Sequence, residues 1–258
     1  MEKVSVIIPT KNEENNLEFC LKSIKNQTYK NVEIIVIDNF SKDSTLTIAR
    51  KYTRKIYKKG PERSGQRNFG AKIAKGKYLL FIDADMILEN KTISQLIKSK
   101  SKAAIVPETI NPDNFWASCR KLEKKLYDNS IVEAPRFFEK ILFNKIGGYD
   151  NNLYAAEDWD ITEKIEKYKI EISRIKSKII HREQNLNPLS AAKKKFYYGK
   201  NISKFMLKNK AGFLKRASPF RVNYFKYLIS DPTHTIGLVV LKICEGLGLI
   251  FGMTSKAI

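Results

Sequence analysis

The chain has 258 residues, 43% of them hydrophobic, and 48 Lys and Arg against 27 Asp and Glu give a net charge of +21. That length holds one large domain with appendages or two modest ones, and the hydrophobic share excludes a disordered chain. The positive excess implies an anionic partner (nucleic acid, an anionic membrane surface or a phosphorylated substrate) unless it reflects a Lys-rich composition alone. Lys heavily outnumbers Arg, which suits general attraction better than bidentate reading of bases. Cys20, Cys119 and Cys244 are few, odd in number and far apart, so they indicate a reducing compartment and neither a disulfide framework nor a metal cluster.

Val4-Ser5-Val6-Ile7-Ile8 reads as a first strand, not a signal peptide, and breaks at Pro9-Thr10-Lys11-Asn12-Glu13. Leu17, Cys20, Leu21 and Ile24 recur at helical spacing. Glu33 to Ile37 is a second strand ending in Asp38-Asn39, and Ser41 to Thr45 supply cap residues for a helix over 46–51. A short strand near 55–57, the Gly60-Pro61 turn and a helix over 64–74 follow. Tyr78-Leu79-Leu80-Phe81-Ile82 then forms an apolar run of the kind buried on both faces of a parallel sheet, and it ends in Asp83-Ala84-Asp85. Two buried unpaired acids would cost several kcal/mol each, so they belong at the strand's carboxyl end. On an extended segment, i and i+2 carboxylates point the same way, as hard ligands for Mg²⁺ or Mn²⁺ or as solvated loop acids.

Alternating strands and helices predict a doubly wound α/β sheet, with the loops after strands one, two and the Asp83-Asp85 strand converging on one crevice. Neither G-x-G-x-x-G nor G-K-[ST] occurs, which disfavours dinucleotide cofactors and P-loop chemistry. A helix over 92–100, a strand over 103–106 and a helix over 115–127 come next. The Ala134 to Phe138 segment, read as helical, the Gly147-Gly148 turn, a helix entered through Glu157-Asp158-Trp159, and short strands over 172–175 and 178–181 complete this part.

These residues resemble glycosyltransferase family 2, nucleotide-sugar-dependent enzymes of the GT-A fold. The resemblance runs from Val4 to about His181. It rests on Val6 to Glu13, Val36-Ile37-Asp38-Asn39 with Ser41 and Asp43, Gln66-Arg67-Asn68, Asp83-Ala84-Asp85, Gly147 to Asp150 and Glu157-Asp158. It implies a GT-A catalytic domain over 1–187, Rossmann-like with flanking helices. It also implies inverting transfer of a sugar from a UDP- or GDP-linked donor, with Mg²⁺ or Mn²⁺ on the diphosphate. In that reading Pro9, Thr10, Glu13, Asp38, Arg67, Asp83, Glu157 and Arg136 serve the nucleotide sugar. Asp85 and His181 hold the metal, and Asp158 is the general base. Alternatives stay open for three of these: Asp158 as a helix N-cap, His181 as a structural residue, and Arg136 as packing beside Phe137. Asp38-Asn39 departs from the two acids of many relatives.

From Ser190 to Ser230, Lys and Arg occur without an acid and alternate with Phe and Tyr, before a largely apolar run over 236–253. This basic, aromatic-rich, helical C-terminal region, 188–258, is read as membrane-associating, either interfacial or spanning, or else as packed on the protein. Lys242 and Glu245 share a helix face, which argues against a simple lipid-facing helix. The expected partners are a nucleotide-sugar donor, a lipid-linked acceptor and the cytoplasmic face of the membrane, with no nucleic acid. A basic nucleic-acid-binding protein is the reading from another class, and a polyprenyl-phosphate glycosyl synthase the reading within this one.

Overall fold

The computed structural model describes residues 1–153, 155–208 and 224–255. Lys210, Phe213, Lys215, Arg216, Phe220 and Arg221 of the basic, aromatic stretch lie outside the described residues. The described chain groups into two compact units, one of residues 1–108, 134–151 and 157–181, the other of 109–133, 152–156 and 182–258.

The first unit is an α/β layer structure. Its strands β1 (Val4–Thr10), β2 (Val32–Asp38), β3 (Ile56–Lys58) and β4 (Tyr78–Phe81) alternate with helices α1 (Leu17–Lys25), α2 (Thr45–Arg50) and α3 (Arg63–Ile73). After β5 (Met86–Leu88) come α4 (Thr92–Lys98) and β6 (Ala103–Ile105), and the chain passes into the second unit within β7 (Glu108–Ile110). Helix α5 (Phe115–Leu126) belongs to the second unit, and the chain returns through β8 (Phe137–Glu139), α6 (Lys140–Lys145), α7 (Glu157–Lys167), β9 (Ile172–Arg174) and β10 (Ile179–His181).

A seven-stranded sheet runs in the order β3-β2-β1-β4-β8-β6-β9. Strand β1 is parallel to both β2 and β4, β3 is parallel to β2, and β9 to β6; only β8 runs antiparallel, between β4 and β6. Val4, Val6, Ile8, Ile34, Val36 and Leu80 face a core that includes α1 and α4, while Ile7, Ile35, Ile37, Leu79 and Phe81 face one that includes α3, α6 and α7. Apolar residues on both faces explain why these strands read as unbroken apolar runs.

Two details at the carboxyl ends of strands differ from the sequence reading. Strand β1 continues through Pro9 to Thr10, where a break was expected. Ile7 accepts from the Ile82 N–H on the β4 side, so Pro9, two residues on, faces the same side after β4 has ended, and its missing N–H removes no ladder bond. Asp83 and Asp85 do not continue a strand. They lie in a turn closed by the Met86 N–H donating to the Asp83 carbonyl (3.1 Å), so alternation along a strand does not govern where they point.

The second unit is helical: α5, α8 (Pro188–Lys208), α9 (Tyr224–Ser230) and α10 (Pro232–Thr254). Its core joins Cys119, Leu122 and Leu126 of α5 to Ala191 of α8 and to Leu238 and Leu241 of α10.

Candidate active site

The carboxyl ends of β1 and β2 are knitted by side chains. Asp38 is fully buried and accepts from Thr10 Oγ1 (2.9 Å), the Ser41 N–H (2.8 Å) and Ser41 Oγ (2.5 Å). The Asn12 N–H donates to Ser41 Oγ (2.8 Å), and the Glu13 N–H to Thr45 Oγ1 (2.7 Å), so the two loops form one edge. Burial raises the Glu13 carboxyl above its ordinary value, against the Asn16 hydrogen bond, and the charges of Asp85 and Asp83 raise it further. Acids from the β1 and β4 loops are thus near enough to repel one another, an arrangement that favours a cation.

One turn of α3 holds three different parts of the unit. Gln66 Nε2 donates to the carbonyls of Thr10 (3.1 Å) and Ile37 (2.6 Å), pinning the ends of β1 and β2. Asn68 donates to the Tyr149 carbonyl (2.7 Å) and accepts from its N–H (3.0 Å). Between them Arg67, fully buried, meets Asp83 Oδ1 through Nη2 (2.8 Å), and Glu157 Oε1 and Asp158 Oδ1 through Nη1 (3.4 Å each). Its guanidinium also lies 5.1 Å from the Tyr149 ring centre, a desolvated cation–π contact. Successive helix positions differ by about 100°, which is why three neighbours serve three directions. The close approach of α3 to the sheet needs Gly70, where a Cβ would stand 2.4 Å from Ile7 Cγ2.

Asp83 is gripped from both sides. Besides Arg67, Arg136 Nη1 lies 3.6 Å from Asp83 Oδ2. Burial pushes the Asp83 carboxyl up, but Arg67, Arg136 and Arg63 outweigh burial and hold it well below the usual carboxylate range. Arg136 in turn donates from Nε to Glu108 Oε1 (2.7 Å), and the other Glu108 oxygen lies 3.0 Å from His181 Nε2. The remaining ring nitrogen, Nδ1, faces Asp85 Oδ2 at 3.9 Å. Pairing of β10 with β5 sets His181 opposite Met86, next to Asp85.

Glu157 and Asp158 open α7 in its first turn, where the helix dipole favours acids. The helix starts at Glu157, so Asp158 sits inside it and is not its N-cap. Glu157 is buried and also meets Arg63 (3.4 Å). Burial and the charge of Asp158 push the Glu157 carboxyl up, with Arg63 and Arg67 working against them. Asp158 keeps a 35% exposed side chain, which leaves it accessible from solvent while tied to Arg67. Among the described residues no group of three or more His, Cys, Asp or Glu is gathered as a ready metal cluster.

Residues 5–148 match the family model described as glycosyl transferase family 2. The chain belongs to this family. A Rickettsia typhi glycosyltransferase is 32% identical over 184 residues, covering 61% of this chain and 57% of that protein. The Streptococcus pneumoniae glycosyltransferase GlyA is 35% identical over 168 residues, covering 61% of this chain and 22% of its own. This family 2 chain therefore spans little more than half the length of the Rickettsia relative. Among solved structures, S. aureus TarS 1–349 in complex with UDP shares the fold at TM-score 0.56 and 18% identity, covering 98% of this chain and 89% of that one. Mannosyltransferase PcManGT from Pyrobaculum calidifontis, in complex with GDP-Man and Mn²⁺, does so at TM-score 0.64 and 15% identity, covering 97% and 87%.

Of the site residues expected for this family 2 chain, Arg67, Asp83, Arg136, Glu157 and Asp158 form one contact network, and Asp85 and His181 another, with Glu108 joining the two. Pro9, Thr10, Glu13 and Asp38 line the adjoining strand ends. Sequence reasoning did not single out Glu108, Arg63 or a role for Tyr149. Glu108 is a lone acid whose partners are 28 and 73 residues away, so nothing local marks it.

Proposed function

We propose that the chain is an inverting glycosyltransferase that moves a sugar from a UDP- or GDP-linked donor to a hydroxyl of a lipid-linked acceptor at the cytoplasmic face of a membrane. The observation that carries this reading is the buried Arg67 clamp. It fixes Asp83 at the sheet edge and the accessible Asp158 on α7 through one guanidinium. The nucleotides named for TarS and PcManGT support the donor class. The division into a catalytic domain, 1–187, and a membrane-associating region, 188–258, is part of the same proposal.

In this reading Thr10 and Glu13 border the nucleotide, with Pro9 shaping the edge. Asp38, fully buried and accepting three hydrogen bonds inside the protein, serves the nucleotide by holding Thr10 and Ser41 at the edge where base and ribose would sit. Asp83, held ionised by two arginines, faces the donor sugar, and Arg136 lies at the same place for a phosphate oxygen. Asp158 accepts the proton of the attacking hydroxyl while Arg67 holds its orientation. The residues also fit a divalent metal. Two ligands each about 2.1 Å from one ion lie no more than about 4.2 Å apart, and Asp85 Oδ2 and His181 Nδ1 are separated by 3.9 Å. Glu108 on the far ring nitrogen completes a carboxylate–histidine pair of the sort that backs metal ligands. Bound there, Mg²⁺ or Mn²⁺ would supply charge neutralisation for the departing diphosphate. The test is thermal stability with UDP and GDP, with and without Mn²⁺. A metal-dependent rise, lost in Asp85→Ala, is expected; no rise with either nucleotide overturns the reading.

A further inference from the structure

Helix α10 is built inside out. Gly237, Leu238, Leu241, Glu245, Gly248 and Gly252 are its buried positions. Gly248 and Gly252 let α10 lie directly on α8: a Cβ at either would stand 2.2 Å from the carbonyl oxygen of Ala192 or Phe196. Of the charges of α10, Glu245 is buried on that inner side, while Lys242 sits at its edge, 41% exposed, with its ammonium turned toward α5. Glu245 accepts from Arg120 of α5, and Lys242 pairs with Glu123 of α5 and, at 2.8 Å, with Glu245 itself. Arg120, also beside Glu123 and Glu183, is held above its ordinary value by those acids against the effect of burial.

The opposite face is the apolar one. Ile236, Val239, Val240, Ile243, Leu247 and Ile250 are 38–67% exposed, and their spacing places them on one stripe. Phe251 extends the stripe at 61% exposure. No charged residue interrupts it: Glu245 is buried beneath, and Lys242 lies at the edge of the inner face, paired with Glu123 and Glu245. Covering aliphatic side chains is favourable, so water is the wrong neighbour for six of them on one stripe. The length and mean hydropathy of 2.0 would also suit a membrane span, but a lone span meets lipid on every side. Here a third of the apolar window is buried (33%), and the buried side carries an ion cluster and close contacts to the backbone of α8. The charge of the neighbouring chain names the occupant. From Gln184 to Ser230 there is no Asp or Glu, while Lys193, Lys194, Lys200 and Lys226 are exposed. A second copy of the chain would bring the same positive excess against it.

We propose that this stripe is a bilayer-docking face: α10 lies in the plane of an anionic membrane, with Ile236 to Ile250 at the acyl boundary and the lysines of its unit on the headgroups. The proposal deepens the membrane-surface part of the function above and is independent of the donor chemistry. The experiment is co-sedimentation of the full chain with vesicles of phosphatidylcholine, with and without one quarter phosphatidylglycerol. Wild type is compared with Ile243→Asn/Leu247→Asn, and Mn²⁺- and UDP- or GDP-dependent thermal stability is followed in the same samples. Expected are binding that needs phosphatidylglycerol, at least a tenfold loss in the double variant, and unchanged nucleotide-dependent stability. Four results overturn it: wild type that stays in the supernatant; a double variant that binds as wild type; binding that resists carbonate extraction, which marks a span; or a wild-type dimer that the double variant dissolves. A failure of the catalytic reading would show instead as absent nucleotide stabilisation with vesicle binding intact.

Discussion

A single buried guanidinium with three carboxylates makes the site's acids differ in kind. Asp83 is fixed in its charged form, Glu157 is pressed toward its neutral one, and Asp158 keeps solvent access. Asp158→Asn is expected to lower turnover on a hydroxyl acceptor by roughly 10²–10⁴-fold without weakening donor binding. Turnover near wild type would instead favour an acceptor that is already anionic, such as a polyprenyl phosphate. The Asp83 carboxyl is depressed in the folded chain, so its stability contribution is complete above the ordinary Asp value of about 3.9 and is lost as pH falls toward the depressed one. Asp83→Asn should therefore cost on the order of 3 kcal/mol at pH 7 by urea unfolding, since it leaves two buried arginines short of a partner. The gap to wild type should close below about pH 4; a gap indifferent to pH would contradict this assignment. Glu108→Gln is expected to weaken Mn²⁺ binding roughly 10–100-fold, read by titration of the metal with no acceptor present.

At the scale of elements, helices and sheet respond to different rules, and this decides what could be read in advance. The long parallel strands and amphipathic helices of the first unit were legible because burial on fixed faces leaves a period in the sequence: β1, β2, β4, α1 and α3 all lie within a residue or two of their expected places. Strand β8, in a segment read as helical, was not. Phe137-Phe138-Glu139 is three residues long, and only its antiparallel seat between β4 and β6 makes it a strand. The acids after β4 were legible as a pair, yet the turn that separates their directions is a tertiary outcome. The roles of Lys242 and Glu245 were half legible: they do pair with each other, but Glu245 is buried and Lys242 reaches in to it from an exposed edge. For α10 the glycines give a paired forecast. Gly248→Ala, whose methyl would meet the Ala192 carbonyl, should lower stability by roughly 1–3 kcal/mol. Gly246→Ala, with nothing within 4 Å of its Cβ, should raise it by about 1 kcal/mol, both by denaturant midpoint.

For the molecule as a whole, the charge of +21 is unevenly used. In the first unit the buried arginines are matched to acids, whereas the segment leading into α10, residues 184–230, contains no acid of its own. Attraction to an anionic surface from that segment should weaken with salt, while the apolar part of the docking should not. A sedimentation series from low to high salt is therefore expected to show partial and not complete release.

The turn Gln66-Arg67-Asn68 also sets a phase that the chain cannot shift by one. An inserted residue just before Gln66 would rotate everything after it by about 100° relative to the sheet. The guanidinium would leave its three acids, the amide that pins β1 and β2 would swing away from their carbonyls, and Gly70 would no longer pass under Ile7. Length changes in α3 are thus expected to survive only as compensated pairs on either side of this turn, or past its last contact near Ile73. Scanning single-codon insertions through 62–76 and scoring soluble, nucleotide-stabilised protein would trace that phase directly.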